Sequence, residues 1–130
     1  MLKGGCFCGY VRYEAHAEPA KPTCCHCTIC RRTSGAPFVA WFTVPARDYR
    51  LAGGQPARFA SSSDSERSFC PRCSTPLTFQ SRQHPDEIDV TTGSLDDPEA
   101  VPPRDHTFTR SQLSWVKLAD GLPTFSAARP

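Results

Sequence analysis

A chain of 130 residues with 38% hydrophobic residues, 13 prolines and 8 glycines has the size of one domain and a modest core, but too many chain breakers for an architecture of long helices. Fifteen Lys and Arg against 13 Asp and Glu leave a formal charge of +2, and the basic residues are scattered, so no nucleic-acid footprint stands out. No apolar run reaches the length of a membrane span or a signal-peptide core, and the expectation is a soluble, cytoplasmic protein with a single domain, residues 1–130.

In chain order, GYVRYEA alternates Val11, Tyr13 and Ala15 against Tyr10, Arg12 and Glu14, the pattern of a half-buried strand. The run from Thr28 to Ser34 is the one good place for a helix before the tail, with Thr28 as cap and Gly35 as terminator. FVAWFTV, Phe38 to Val44, is β-branched and aromatic and stops at Pro45, so it reads as a more buried strand. Shorter strands are expected at ARFAS, ERSFC, PLTFQS and EIDVTTG, separated by the turn clusters AGGQP, SSSDS and QHPDE. DDPEAVPPRD reads as a proline-rich loop, and QLSWVKLADGLPTF as a tail whose apolar groups close over the sheet. The fold class is mainly β, small and metal-supported.

The eight cysteines fall into three groups: Cys6 and Cys8; Cys24, Cys25, Cys27 and Cys30; Cys70 and Cys73. In a reducing compartment such clusters are metal ligands or redox catalysts rather than staples. Cys6 and Cys8, two apart in an extended segment, share one side, and Gly5 and Gly9 flank them where a tight knuckle needs permissive backbone. Cys70-Pro-Arg-Cys73 has the spacing of a zinc knuckle. The two pairs together make a complete tetrahedral set, which would tie the N-terminal segment to the middle of the chain. A redox dithiol at 70–73 competes with this reading, but such dithiols precede a helix, and FCPRCSTPLTF is flanked by strand-like sequence.

Within TCCHCTIC, Cys25 and Cys27 share a face and Cys30 returns one short turn later, while Cys24 and His26 point the other way in an extended chain. Three convergent thiolates without an evident fourth ligand fit a metal centre that keeps one position for chemistry. Two other readings use the same residues. Cys24 or His26 bends in and closes a second structural site, or the cluster holds iron and sulfur, although the run matches neither common ferredoxin spacing.

Taken in order, GGCFCGYVRYE, CHCTICRRTSGAP and FCPRCSTPL resemble the motifs of the glutathione-dependent formaldehyde-activating enzyme family, which also contains the centromere protein V relatives. The ending WVKLADGLPTF is similar to the family's as well. The resemblance implies a mainly β fold similar to that of methionine sulfoxide reductase B, with one short helix after the CHCxxC motif. It implies two zinc ions per chain: a structural one on Cys6, Cys8, Cys70 and Cys73, and a catalytic one on Cys25, Cys27 and Cys30. The implied reaction is the addition of glutathione to formaldehyde, giving S-(hydroxymethyl)glutathione, formally that of a carbon–sulfur lyase. Two residues depart from the family pattern: Cys24 is an extra thiol that could interfere with the fourth metal position, and Ser74 stands where many relatives have glycine, a change expected to matter little.

Arg31 and Arg32 follow the third cysteine of the cluster, and a guanidinium suits the carboxylates of a thiol such as glutathione; a solvated helix face explains them equally well. Phe38 and Trp41 read as core rather than pocket, and His84 and His106 as exposed loop histidines rather than acid–base groups. Two other classes remain: a noncatalytic zinc module for protein interaction, weakened by the lack of a basic or low-complexity arm, and a thiol redox or metal-buffering protein using Cys24.

Overall fold

The computed structural model describes all of residues 1–130. Its elements are β1 (Leu2–Gly5), β2 (Arg12–Ala15), β3 (Ala20–Cys25), α1 (Thr28–Ser34), β4 (Val39–Pro45), β5 (Tyr49–Gly53), β6 (Ala57–Ser62), β7 (Ser65–Phe69), β8 (Pro76–Ser81), β9 (Glu87–Thr91) and β10 (Asp105–Thr107), with short 3-10 turns between and after them. They form a three-stranded sheet, β1-β2-β5, and a seven-stranded sheet, β10-β3-β4-β9-β8-β7-β6. All pairings are antiparallel except β10 on β3. The architecture is therefore mainly β with one short helix, as expected.

Strand alternation sorts the residues between a core and a cavity. Val11, Tyr13 and Ala15 turn inward from β2 and its approach and meet Phe42, Val44, Ile88 and Val90 from the larger sheet, while Tyr10, Arg12 and Glu14 stay partly exposed. On β4 the other set, Trp41 and Thr43, faces a cavity on the far side of the large sheet. One strand thus floors the core with one face and the cavity with the other.

Four strands escape the sequence pattern. β1 is LKGG, β3 contains Pro22, β5 runs into the first turn cluster at Ala52 and Gly53, and β10 starts at Asp105, the last residue of the proline-rich stretch that reads as a loop. β10 is held from both sides: it pairs with β3, and the tail lies along it through His106 N–H to Pro123 O at 2.9 Å and Phe125 N–H to His106 O at 2.8 Å. The tail thus closes the sheet's edge with backbone hydrogen bonds rather than apolar cover, and Trp115 remains 67% exposed. No helix is long and apolar enough to cross a membrane.

Candidate functional site

The turn from β3 into α1 gathers three sulfurs. Cys25 ends β3, and Cys27, with extended φ and ψ of −66° and 152°, is the N-cap of α1. Its Sγ accepts the Cys30 N–H at 3.2 Å, so the cap is a thiol rather than the expected Thr28 hydroxyl. Gly35 ends the helix in the left-handed region at φ 66°, its N–H bonded to Arg31 O at 2.8 Å. A cap at each end fixes Cys30 facing back toward Cys25, their sulfurs 3.5 Å apart.

Both cysteine sets have the dimensions of a metal site. The sulfurs of Cys6, Cys8, Cys70 and Cys73 lie within 4.8 Å of one another, as do those of Cys25, Cys27 and Cys30. Metal–sulfur bonds of about 2.3 Å at tetrahedral angles put sulfurs about 3.8 Å apart. Cys6–Cys8 at 3.6 Å, Cys8–Cys70 at 3.8 Å and Cys25–Cys30 at 3.5 Å match that edge, and all eight cysteines are free. The electrostatics also fit a cation. Cys25 and Cys30 as donors pull the Cys27 thiol far below its usual range, and Cys27, followed by Cys30, pushes Cys25 far above it. One thiolate forms and repels the next, so all three ionise together only around a positive ion.

Cys24 and His26 stand apart from this set. Register pairs Cys25 with Val39 and Thr107, and Cys24 with Ala40 and His106, so Cys24 lies on the opposite face of β3, buried at 5% exposure. Burial and the charges of Asp120 and Asp105 push its thiol up to about 11. His26, fully buried, places Nε2 2.9 Å from His106 Nδ1, and His106 Nε2 lies 2.7 Å from Asp120 Oδ2. An ionised Asp120 only accepts, so His106 Nε2–H donates to it; with His106 neutral, its Nδ1 accepts from His26 Nε2–H. His106 is therefore a buried strand residue, not the exposed loop histidine expected, because β3 and the tail enclose it. His84 is exposed as expected but lines the cavity.

A cavity of about 730 Å³ opens beside the three sulfurs, with Cys25, Cys27 and Cys30 in its wall. Its floor includes one row across four strands, Thr43–Asp89–Phe79–Arg67, set side by side by register. Thr43 Oγ1–H donates to Asp89 Oδ1 at 2.6 Å, and burial holds the Asp89 carboxyl above its usual value. A second cavity of about 400 Å³ shares Trp41 and Arg67 with the first. Trp41 is thus a wall as well as a packed residue, whereas Phe38 packs on His26 and His106, with ring centroids 4.9 and 6.2 Å away. Arg31 and Arg32 line neither cavity. The cations of the larger one are Lys21, paired with Glu87 at 2.9 Å, Arg129, paired with Asp105, Arg110 and Arg67.

Residues 1–111 match the family described as glutathione-dependent formaldehyde-activating enzyme. The chain belongs to that family. A lyase of Schizosaccharomyces pombe, itself uncharacterized, is 36% identical over 77 residues, which cover 59% of this chain and 56% of that protein. A Halomonas elongata protein, provisionally named a glutathione-dependent formaldehyde-activating enzyme, is 28% identical over 127 residues, 91% of this chain and 81% of that protein. A crystal structure of a Rhodobacter sphaeroides protein aligns with a TM-score of 0.56 and 25% identity, covering 95% of this chain and 98% of the other. The chain spans little more than half of the yeast relative and most of the bacterial one.

Proposed function

We propose that this chain is a zinc-dependent carbon–sulfur lyase, residues 1–130 forming one domain, that joins a thiol such as glutathione to a small aldehyde such as formaldehyde. The observation that carries the reading is the contrast between the two cysteine sets. Cys6, Cys8, Cys70 and Cys73 form a complete four-sulfur set and line neither cavity, whereas Cys25, Cys27 and Cys30 form a three-sulfur set in the wall of the larger one. The first set suits a structural zinc and the second a zinc with a position left for a substrate. Cys24 and His26, the residues nearest in sequence that could close it, point to the far face of the strand. A reducing cytoplasm suits eight free cysteines.

In the reaction the thiol sulfur forms the new C–S bond, the carbonyl π pair moves to oxygen, and that oxygen takes up the proton the thiol gives up. Bound zinc would hold the thiol in its ionised form or polarise the carbonyl oxygen. The chain's own residues shape the cavity. Trp41 and Phe79, edge to face with centroids 6.3 Å apart, supply apolar wall beside Cys25 and Cys30 that keeps water out. Arg110, exposed at the rim and stacked on Phe108 at 5.7 Å, offers a guanidinium to a substrate carboxylate. It takes the role that the sequence pointed to in Arg31 and Arg32.

Cobalt substitution followed by thiol titration tests the reading. Added glutathione is expected to change the visible spectrum of the cobalt-loaded chain, and a spectrum that ignores it would count against a substrate position at the second site.

A further inference from the structure

The proposed reaction gives no reason for Arg67, which lines both cavities. It lies on β7 in a run of serines, a glutamate and a phenylalanine, yet is 7% exposed. Its Nη2 donates to Cys30 Sγ at 3.7 Å and its Nη1 to Thr33 Oγ1 at 3.4 Å. The guanidinium carbon sits 4.9 Å from the Phe79 ring centroid and 5.7 Å from that of Trp41. Nε is buried without a partner. No carboxylate lies within ion-pair distance of it, since the chain's ion pairs all involve other residues. Asp89, the carboxylate in its own row, is separated from it by Phe79.

A buried guanidinium needs a counter-charge, because ring faces and one hydroxyl replace only part of its hydration. The atom it touches supplies a candidate. Three thiolates around a divalent ion leave a net charge of −1, and one arginine cancels it. The four-cysteine set leaves −2 and has no buried cation. Instead it faces solvent at Cys8 and is hydrogen-bonded by Val11 N–H to Cys6 Sγ at 3.2 Å and by Arg72 N–H to Cys70 Sγ at 3.4 Å.

We propose that Arg67 is a positioning residue for the three-sulfur centre, the built-in counter-charge that neutralises the metal-bound cysteines through Cys30. This rests on the reading of Cys25, Cys27 and Cys30 as metal ligands. The rings of Trp41 and Phe79 and the Thr33 hydroxyl fix the guanidinium against that sulfur, and Arg67 and Trp41 line both cavities. Second-layer groups of this kind tune how tightly a metal is held.

The test uses the full chain loaded with zinc or cobalt and measures each site's affinity by competition with a chromophoric chelator, together with the cobalt–thiolate charge-transfer bands. Arg67→Gln is expected to weaken the three-sulfur site about tenfold or more and to shift its bands, leaving the four-cysteine site unchanged. Arg67→Lys, which keeps the charge but gives up the fork and the ring contacts, is expected to lose less than about tenfold. An Arg67→Gln chain with wild-type affinity and spectrum would overturn the proposal. So would an Arg67→Lys chain as weak as Arg67→Gln, since packing rather than charge would then be responsible. Should Arg67→Gln fail to fold, Arg67→Lys decides alone: a loss of about tenfold or more overturns the proposal. A wild-type chain that binds one metal only, on the four-cysteine set, removes the ligand reading itself and the proposal with it, an outcome distinct from two metals that ignore residue 67.

Discussion

Ser74 sits at φ 69°, in the left-handed region where a side chain's Cβ crowds the neighbouring carbonyl. Its N–H bonds to Cys70 O at 2.9 Å, so the conformation is imposed by the knuckle that turns Cys73 back toward Cys70. The glycine that the family resemblance implies here would therefore have a physical reason, and serine is less neutral than its small size implies. Ser74→Gly is expected to stabilise the protein by about 1 kcal/mol, read as a higher urea midpoint with an unchanged slope; an equal or lower midpoint would contradict it. Cys27 gives a second test at the same scale. Serine at 27 keeps an oxygen to accept the Cys30 N–H and so keeps α1 capped, but it removes a thiolate. Metal content should fall from two zinc ions to one in Cys27→Ser with circular dichroism unchanged, and one zinc in both chains would remove the second centre.

Elements were legible in the sequence where their signals are local. α1 spans Thr28–Ser34 as the pattern indicates, because the metal-ligand spacing, the helix start and the Gly35 terminator all lie within residues 25–35. The paired cysteines are likewise close in sequence. β10 and the cavity floor were not legible, since both arise from register between distant strands. His106 is buried by β3, whose Thr23 hydroxyl donates to Asp105 O from 82 positions away, and by the tail; Arg67 looks like a solvated strand residue until β8 brings Phe79 beside it. The tail's hold on β10 can be tested. Arg129 Nε and Nη2 donate to Asp105 Oδ2 and Oδ1 at 2.5 and 2.9 Å, with the Asp105 side chain buried and that of Arg129 partly exposed. Burial is the largest single influence and raises the Asp105 pKa, but the hydrogen bonds of Arg129 and Thr23 and the Arg129 charge together outweigh it, and the carboxyl stays below its usual range. A depressed carboxyl contributes stability above the unfolded-state value of about 3.9, and that contribution is lost as pH falls through the folded value. Asp105→Asn should therefore cost about 2 kcal/mol at neutral pH, with the gap from wild type closing below about pH 4. Urea titrations of both proteins across that range check it, and a gap that is constant with pH would show that the charge is not involved.

At the scale of the molecule, the two cysteine sets divide the work of holding the fold from the work proposed at the cavity. The four-cysteine set joins Cys6 and Cys8, in the turn between β1 and β2, to Cys70 and Cys73, in the turn between β7 and β8, with 62 positions between Cys8 and Cys70. Those turns belong to different sheets, and Cys6 and Cys70 both lie in the main core, so a metal here links the sheets at the core itself. A cross-link closing a loop of this length removes chain entropy worth about 4 kcal/mol from the unfolded state. The three-sulfur set closes only the few residues from Cys25 to Cys30, already shaped by β3 and α1, and so constrains the unfolded chain far less. The two sites should accordingly separate in their effect on stability. Cys70→Ser is expected to lower the melting temperature by at least about 10 °C, while Cys27→Ser, which also loses one metal, should lower it by only a few degrees. Calorimetry on the two variants under reducing conditions measures both. Equal losses would mean that the fold rests on either site alike, and a Cys70→Ser chain melting with the wild type would show that the four-cysteine set does not hold the two sheets together.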